Sequence, residues 1–306
     1  MSKTALFFPG QASQYVGMGK DLYDASAEVR RLYAMASELI GEDLAKLSFE
    51  GPAETLKQTR FTQPAILVHS LAVLTMLGDK VPAFDYAAGH SLGEYGALAA
   101  AGAMSYEDAV KAVVRRAALM EDACQKNPGT MAAVMGLDPG KTEEVCSRAS
   151  GEGVVVPANF NSAVQIAVSG SIVSVEEAVR LAKEQGAKRA VMLEVGGAFH
   201  SPLMASAKDG MASYLEEIAI KHPTKPVIAN VTARPVQGVD DIRRLLIEQI
   251  TSPVRWAQTM QFLADEGVTR VIEVGPGKVL ASLAKRDMCP ETLLTLDTLA
   301  DLEKIQ

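Results

Sequence analysis

The sequence predicts an α/β chain in which a mostly parallel sheet, flanked by helices, is interrupted by a small inserted β-α-β-β-α-β unit. Three observations carry that reading. Short apolar runs alternate with helical periodicity toward both ends of the chain, the mark of parallel strands joined by helices. Between Gly129 and Val195 the order changes to strand, helix, strand, strand, helix, strand, which is the ferredoxin-like pattern. The 306 residues, 48% hydrophobic and 22% charged, suffice for one large domain or two ordinary ones, and no linker-like run separates them. The second unit is therefore expected as a compact insertion, 128–196, within a large domain formed by 1–127 and 197–306.

Taken in order, an opening strand over Thr4–Phe8 meets a Gly/Gln-rich loop over Pro9–Gly19, and helical patterns cover Glu28–Ile40 and Gln63–Leu77. Phe84–Ala88 reads as a buried strand that runs into Gly89-His90-Ser91-Leu92-Gly93 and an Ala-rich helix. Ser105, with Asp108 three residues on, caps a long helix to about Gln125. In the insertion, strands are predicted at 130–136, 153–158, 164–169 and 188–195, and helices at 139–149 and 175–185. Ser174 with Glu177 is the expected cap of the second of these helices, and Gly186 its C-terminal glycine. Helix 203–220, strand 226–231, helices 240–250 and 256–266, strand 268–274 and helix 278–286 then resume the α/β alternation.

Composition excludes several function classes. The net charge is -7, and the 30 basic residues are scattered rather than gathered into a stripe that could follow phosphates, so nucleic acid is not expected as a partner. Cys124, Cys146 and Cys289 are odd in number and lack paired spacing, which predicts reduced thiols and neither a disulfide framework nor a metal site. The apolar run Ala5–Phe8 is too short for a signal peptide, and the uncharged stretch 153–175 is broken by Pro157, Asn159, Asn161 and other polar residues. A cytoplasmic protein without a membrane partner is the expectation. Gly275-Pro276-Gly277-Lys278 lacks the earlier glycine and the Ser/Thr of a P-loop, and no Gly-x-Gly-x-x-Gly occurs, so nucleotide hydrolysis and nicotinamide chemistry lose support.

Gly89-x-Ser91-x-Gly93 on a strand-to-helix turn is a nucleophile elbow, in which the glycines permit the sharp turn and the serine hydroxyl projects above the sheet edge. The alternative is a structural glycine turn. A serine needs a base, and of four histidines His200 is the best placed, at the end of a predicted strand and before a helix opened by Pro202. His69 reads as a packed core residue and His222 as exposed, while His90 adjoins Ser91 on a turn that points neighbouring side chains apart. An oxyanion would be met by backbone N–H groups, one from Leu92 and another from the loop Pro9–Gln14, for which an ordinary surface loop is the competing reading. On the long helix, Arg115 falls opposite the apolar face and reads as a solvated charge. Arg116, only about 95° from the centre of that face, could reach a cleft and bind a carboxylate, with a flanking arginine that simply snorkels as the competing reading.

Four segments together, Phe8-Pro9-Gly10-Gln11-Ala12-Ser13-Gln14, Gly89-His90-Ser91-Leu92-Gly93-Glu94-Tyr95, Ala198-Phe199-His200-Ser201-Pro202-Leu203-Met204 and Glu273-Val274-Gly275-Pro276-Gly277-Lys278, resemble the malonyl-CoA:acyl carrier protein transacylases of fatty acid synthesis. The resemblance runs from about residue 4 to 286. It implies an α/β-hydrolase-like large domain and a ping-pong reaction in which Ser91, activated by His200, takes malonate from malonyl-CoA as an oxyester. The phosphopantetheine thiol of acyl carrier protein then collects it. It also implies that the N–H groups of Gln11 and Leu92 form the oxyanion hole, that Arg116 pairs the malonyl carboxylate, and that a backbone carbonyl at Gln249 orients His200. Phe199 matches the position of malonyl selectors, where a bulky ring leaves no space for an α-methyl branch.

The chain departs from the pattern in places. Ala12 stands where the family commonly has glycine, harmless if φ there is negative. Asn161-Ser162-Ala163-Val164-Gln165 lacks the usual Pro-Gly and should turn differently, and Ala117 replaces a glycine mid-helix. Expected partners are coenzyme A thioester and acyl carrier protein, with no permanently bound cofactor, and the chain is expected to be a monomer. Lys285 with Arg286, or Lys188 with Arg189, would meet the acidic carrier. A serine hydrolase or thioesterase shares the elbow, but gives Arg116 no purpose and expects a histidine later than His222. A polyketide acceptor and a non-catalytic docking module are the remaining alternatives.

Overall fold

The computed structural model describes residues 2–151 and 153–305. Strand β1 (Lys3–Phe8) is apolar on both faces and lies at the centre of the larger sheet, as buried parallel strands do. Helices α1 (Lys20–Ala25), α2 (Ala27–Ile40), α3 (Leu44–Glu50), α4 (Ala53–Leu56) and α5 (Thr59–Leu77) follow before β2 (Tyr86–Gly89). Helix α5 is apolar enough to cross a bilayer, yet its side chains are buried, packed against α2 and against the helix Tyr106–Lys126. After β2 come α6 (Gly93–Ala100) and α7 (Tyr106–Lys126), then β3 (Thr130–Met135), α8 (Pro139–Ser150), β4 (Val155–Ser162), β5 (Gln165–Gly170), α9 (Ile172–Glu184) and β6 (Arg189–Met192). Helix α10 (Ala205–Leu215), β7 (Val227–Ile228), α11 (Val239–Gln249), α12 (Trp256–Asp265), β8 (Val268–Val274), α13 (Val279–Asp287), β9 (Thr292–Leu296) and α14 (Leu299–Leu302) complete the chain.

The larger sheet runs β7-β2-β1-β8-β9 and every pairing in it is parallel. The smaller runs β4-β5-β3-β6 with antiparallel pairings, the strand order of a ferredoxin-like unit. Its core of Val134, Val145, Val168, Val175 and Leu181 is separate from that of the parallel sheet. The α/β class and the inserted antiparallel unit thus agree with the sequence pattern.

Several local expectations are corrected. Helix α9 begins a turn early, with Ser171 at its N-cap, and Ser174 Oγ instead donates to Ser150 C=O at 3.2 Å, tying α9 to α8. The helix expected over 203–220 is a 3-10 turn at Pro202–Met204 followed by α10, which stops at Leu215. Arg243 of α11 is the cause: its Nε and Nη2 donate to the carbonyls of Leu215 and Ile218, both at 3.1 Å, satisfying groups that would otherwise stay helical. The strand expected over 226–231 is only Val227–Ile228, because Asn230 is drawn out of the ladder by side chains at the nucleophile turn. Edge strand β9 and the short helices α1, α3 and α4 carry periodicity too brief to be read. The tight turn Ala163-Val164 joins β4 to β5 without a Pro-Gly.

Buried Glu273, at the end of β8, receives the N–H groups of Leu280 and Ala281 at 3.0 and 2.7 Å and so caps α13, whose face borders the cavity described below. Removing the bridge made by Arg243 leaves carbonyls at the end of α10 without partners. Arg243→Ala is expected to lower unfolding free energy by about 1–2 kcal/mol in urea titration. Arg244→Ala, which breaks only exposed pairs with Asp241 and Glu248, should leave the midpoint unchanged.

Candidate active site

The turn from β2 to α6 sets the geometry of everything around it. A Cβ at Gly89 would sit 2.0 Å from the Gly93 backbone, and one at Gly93 would sit 2.2 Å from the Phe8 carbonyl oxygen. Both positions therefore demand glycine, and Ser91 between them is held at φ 52, a left-handed conformation that costs a non-glycine residue about 1–3 kcal/mol. The strain is offset by clamps on the Ser91 backbone. Its N–H donates to Asn230 Oδ1 at 2.7 Å, and its carbonyl accepts from Gln249 Nε2 at 3.0 Å.

Ser91 Oγ lies 2.8 Å from His200 Nε2, and His200 Nδ1 lies 2.8 Å from the Gln249 carbonyl. A carbonyl only accepts, so Nδ1 carries the proton and Nε2 is left to receive one from the serine hydroxyl. His200 is 3% exposed, and burial, with the Arg116 charge second, pushes its basicity down to about 3. The imidazole is therefore neutral across the physiological range.

Arg116 comes from α7 and is 1% exposed, whereas Arg115 beside it is exposed, as the helical spacing predicts. Its Nη1 contacts Gln63 Oε1, and its Nη2 donates to Gln249 Oε1 at 2.9 Å and to Ser91 Oγ at 3.0 Å. All of these partners are neutral, Nε has none, and among the described residues the guanidinium forms no ion pair. Burying a cation without a counter-charge is costly. Such a group beside a serine hydroxyl can take a carboxylate that arrives with a substrate.

These side chains open into a cavity of about 540 Å³. Gln11 and Leu92 both line it, and among the described residues neither N–H has a protein acceptor. Phe199 stands beside His200, Met131 and Leu193 form an apolar wall from the smaller unit, and exposed Lys278 and Arg286 also border the cavity. His90 points away from Ser91: its Nε2 meets Asn161 Oδ1 at 2.9 Å, and burial pushes its basicity down to about 4. His69 is a core residue whose Nε2 lies 2.9 Å from the Asp297 carbonyl, and His222 is exposed. Among the described residues no three His, Cys, Asp or Glu side chains gather as metal ligands.

The structure thus brings Ser91, His200, Arg116, Gln11, Leu92, Phe199 and Gln249 to one place. It also adds residues that sequence reasoning missed. Asn230, Gln63, Glu94 and the Gln249 side chain carry no motif of their own, and only Glu94 lay inside a quoted segment. Ala12 is at φ 80, against the condition under which alanine is harmless there, and its N–H is held by Gln14 Oε1 at 2.9 Å.

A family model described as acyl transferase domain matches residues 6–291. The chain belongs to that family. This acyl transferase is 46% identical over 287 residues to the malonyl CoA-acyl carrier protein transacylase of Bacillus subtilis, covering 94% of this chain and 90% of that protein. Among solved structures, the malonyl CoA-acyl carrier protein transacylase of Coxiella burnetii superimposes with a TM-score of 0.94 at 38% identity, over 99% of this chain and 96% of that one. A malonyl-transacylase in complex with a type II PKS acyl-carrier protein, PlMCAT with AntF, matches with a TM-score of 0.94 at 38% identity, over 99% of each chain.

Because Arg116 is the second cause of the low His200 basicity, removing its charge raises that basicity. In Arg116→Met the ring protons of His200, followed by NMR, should titrate at higher pH than in the native acyl transferase. An unmoved titration would separate the two groups electrostatically.

Proposed function

We propose that this chain moves a malonyl group from malonyl-CoA to the phosphopantetheine thiol of an acyl carrier protein, through a malonyl-serine intermediate, in fatty acid biosynthesis. The observation that carries this reading is the buried, unpaired Arg116 guanidinium 3.0 Å from the Ser91 hydroxyl. In a malonyl thioester the carboxyl carbon lies two bonds from the carbonyl carbon, about 2.5 Å away, so a carboxylate held by Arg116 leaves the carbonyl within reach of Ser91 Oγ.

Ser91 Oγ attacks the thioester carbonyl while its proton passes to His200 Nε2. The N–H groups of Gln11 and Leu92 stabilise the oxyanion. On collapse the C–S bond breaks, the imidazolium returns the proton to the coenzyme A sulfur, and malonate remains as an oxyester of Ser91. The carrier thiol then gives its proton to His200 and attacks the ester, and Ser91 recovers its hydroxyl. The Gln249 carbonyl steadies the imidazolium in place of an aspartate, and Phe199 disfavours an α-methyl branch by about 1–3 kcal/mol.

On this reading the chain divides into 1–127 with 197–306 and the insertion 128–196, with the site in the cleft between them; the cavity lined by Ser91 and His200 together with Met131, Asn161 and Leu193 supports it. The chemistry needs no metal and no permanently bound cofactor, and since every site residue comes from one chain, a monomer suffices. The cytoplasm is the compartment that fits this reading. Arg286, which borders the cavity and also reaches Gln165 of the insertion, supports Lys285 and Arg286 over Lys188 and Arg189 as the carrier contact.

Intact-protein mass after brief exposure to malonyl-CoA tests the reading. The native chain should gain one malonyl group and lose it on adding carrier bearing the phosphopantetheine thiol, while Ser91→Ala gains nothing. Hydrolysis without a lasting adduct, or an adduct that survives in Ser91→Ala, would overturn it.

A further inference from the structure

Glu94 is 1% exposed, does not line the cavity, and takes no part in the transfer steps. One of its oxygens, Oε2, nevertheless accepts two hydrogen bonds: from the Asn230 N–H at 3.0 Å and from Gln249 Nε2 at 2.8 Å. Asn230 is the residue that accepts the Ser91 N–H, and its Nδ2 also donates to the Gly89 carbonyl at 2.6 Å. Gln249 gives its other Nε2 hydrogen to the Ser91 carbonyl and offers Oε1 to Arg116. Both clamps on the strained nucleophile turn therefore end on one carboxyl oxygen.

A glutamine amide can turn end for end with almost no change in shape, so the pattern of donors and acceptors around it decides its direction. Turned over, Gln249 would present its NH₂ to the Arg116 guanidinium, donor against donor, and its oxygen to the Glu94 acceptor. With Glu94 in place, the NH₂ end faces the carboxyl oxygen and Oε1 faces Arg116. We propose that Glu94 is a positioning residue: it fixes the amide direction of Gln249 and the seat of Asn230, and so holds Arg116 beside Ser91 where the substrate carboxylate must bind. The inference rests on the malonyl-transfer reading above. Its content is an acceptor at a fixed place rather than a charge, since an amide carbonyl oxygen can accept the same two bonds.

Three variants separate this from a merely structural role: Glu94→Gln keeps an acceptor oxygen at the same reach, Glu94→Asp withdraws it by one methylene, and Glu94→Leu removes it. Initial rates of acyl loading from malonyl-CoA and from acetyl-CoA are read by intact mass and normalised to Ser91 sites titrated with a fluorophosphonate. E94Q should stay within about threefold of the native malonyl-to-acetyl ratio, whereas E94D and E94L should lose about tenfold or more of it, through malonyl-CoA rather than acetyl-CoA. If E94L does not fold, E94D, which keeps a buried carboxyl group, decides alone. A native ratio in E94D would overturn the inference, as would an E94Q that falls as far as E94D, since charge and not orientation would then matter. If the native chain takes no acyl group from malonyl-CoA, the malonyl-transfer reading itself fails and this inference with it.

Discussion

The guanidinium of Arg116, buried against the Ser91 hydroxyl and hydrogen-bonded otherwise only to amide oxygens, is the constraint on which the rest of the site depends. A carboxylate from the protein would satisfy the cation and close the site to a substrate carboxylate. Neutral oxygens on Gln63 and Gln249 hold its place without quenching its charge. The same charge works against protonation of His200, so on the proposed malonyl-transfer reading a substrate carboxylate that neutralises Arg116 also makes the base stronger at the moment it is needed. Selection and activation, on that reading, share one electrostatic cause.

The fold delivers these groups from the carboxyl ends of parallel strands, where α/β sheets present their ligands. Gln11 follows β1, Ser91 follows β2, Asn230 follows β7, and Gly275–Lys278 follow β8. Helices α5 and α7 pack side by side and bring Gln63 and Arg116 in from one flank, while α11 ends on Gln249. The antiparallel unit closes the other flank through Met131, Asn161, Gln165 and Leu193. Its strand β4 also meets the larger unit at Asn159, which bridges to Val254.

What could be read in advance was local. The Gly-x-Ser-x-Gly turn is visible because its glycines and serine all fall within five residues, although only Gly89 is forced by backbone inside that stretch and Gly93 is forced by the distant Phe8 carbonyl. The choice of Arg116 over Arg115 follows from 100° per residue on one helix. The β-α-β-β-α-β order is a matter of counting periods. What stayed hidden is nonlocal: Asn230 lies 139 residues from the Ser91 N–H it receives, and the Gln249 side chain 155 residues from Glu94. Neither amide is unusual in its own neighbourhood. The same long-range pull shortened the strand at 227–228 and, through Arg243, ended α10 early. The left-handed backbone of Ala12 was likewise unreadable, because it is set by a turn that alanine does not itself favour.

The most direct test of the account is the ratio of malonyl to acetyl loading on Ser91 in the native chain and in Arg116→Met. The account predicts that the ratio falls about a hundredfold or more, because a buried charge pair is lost, while acetyl loading is kept or raised. Equal losses with both donors would contradict it, since Arg116 would then support the serine and not the substrate carboxylate.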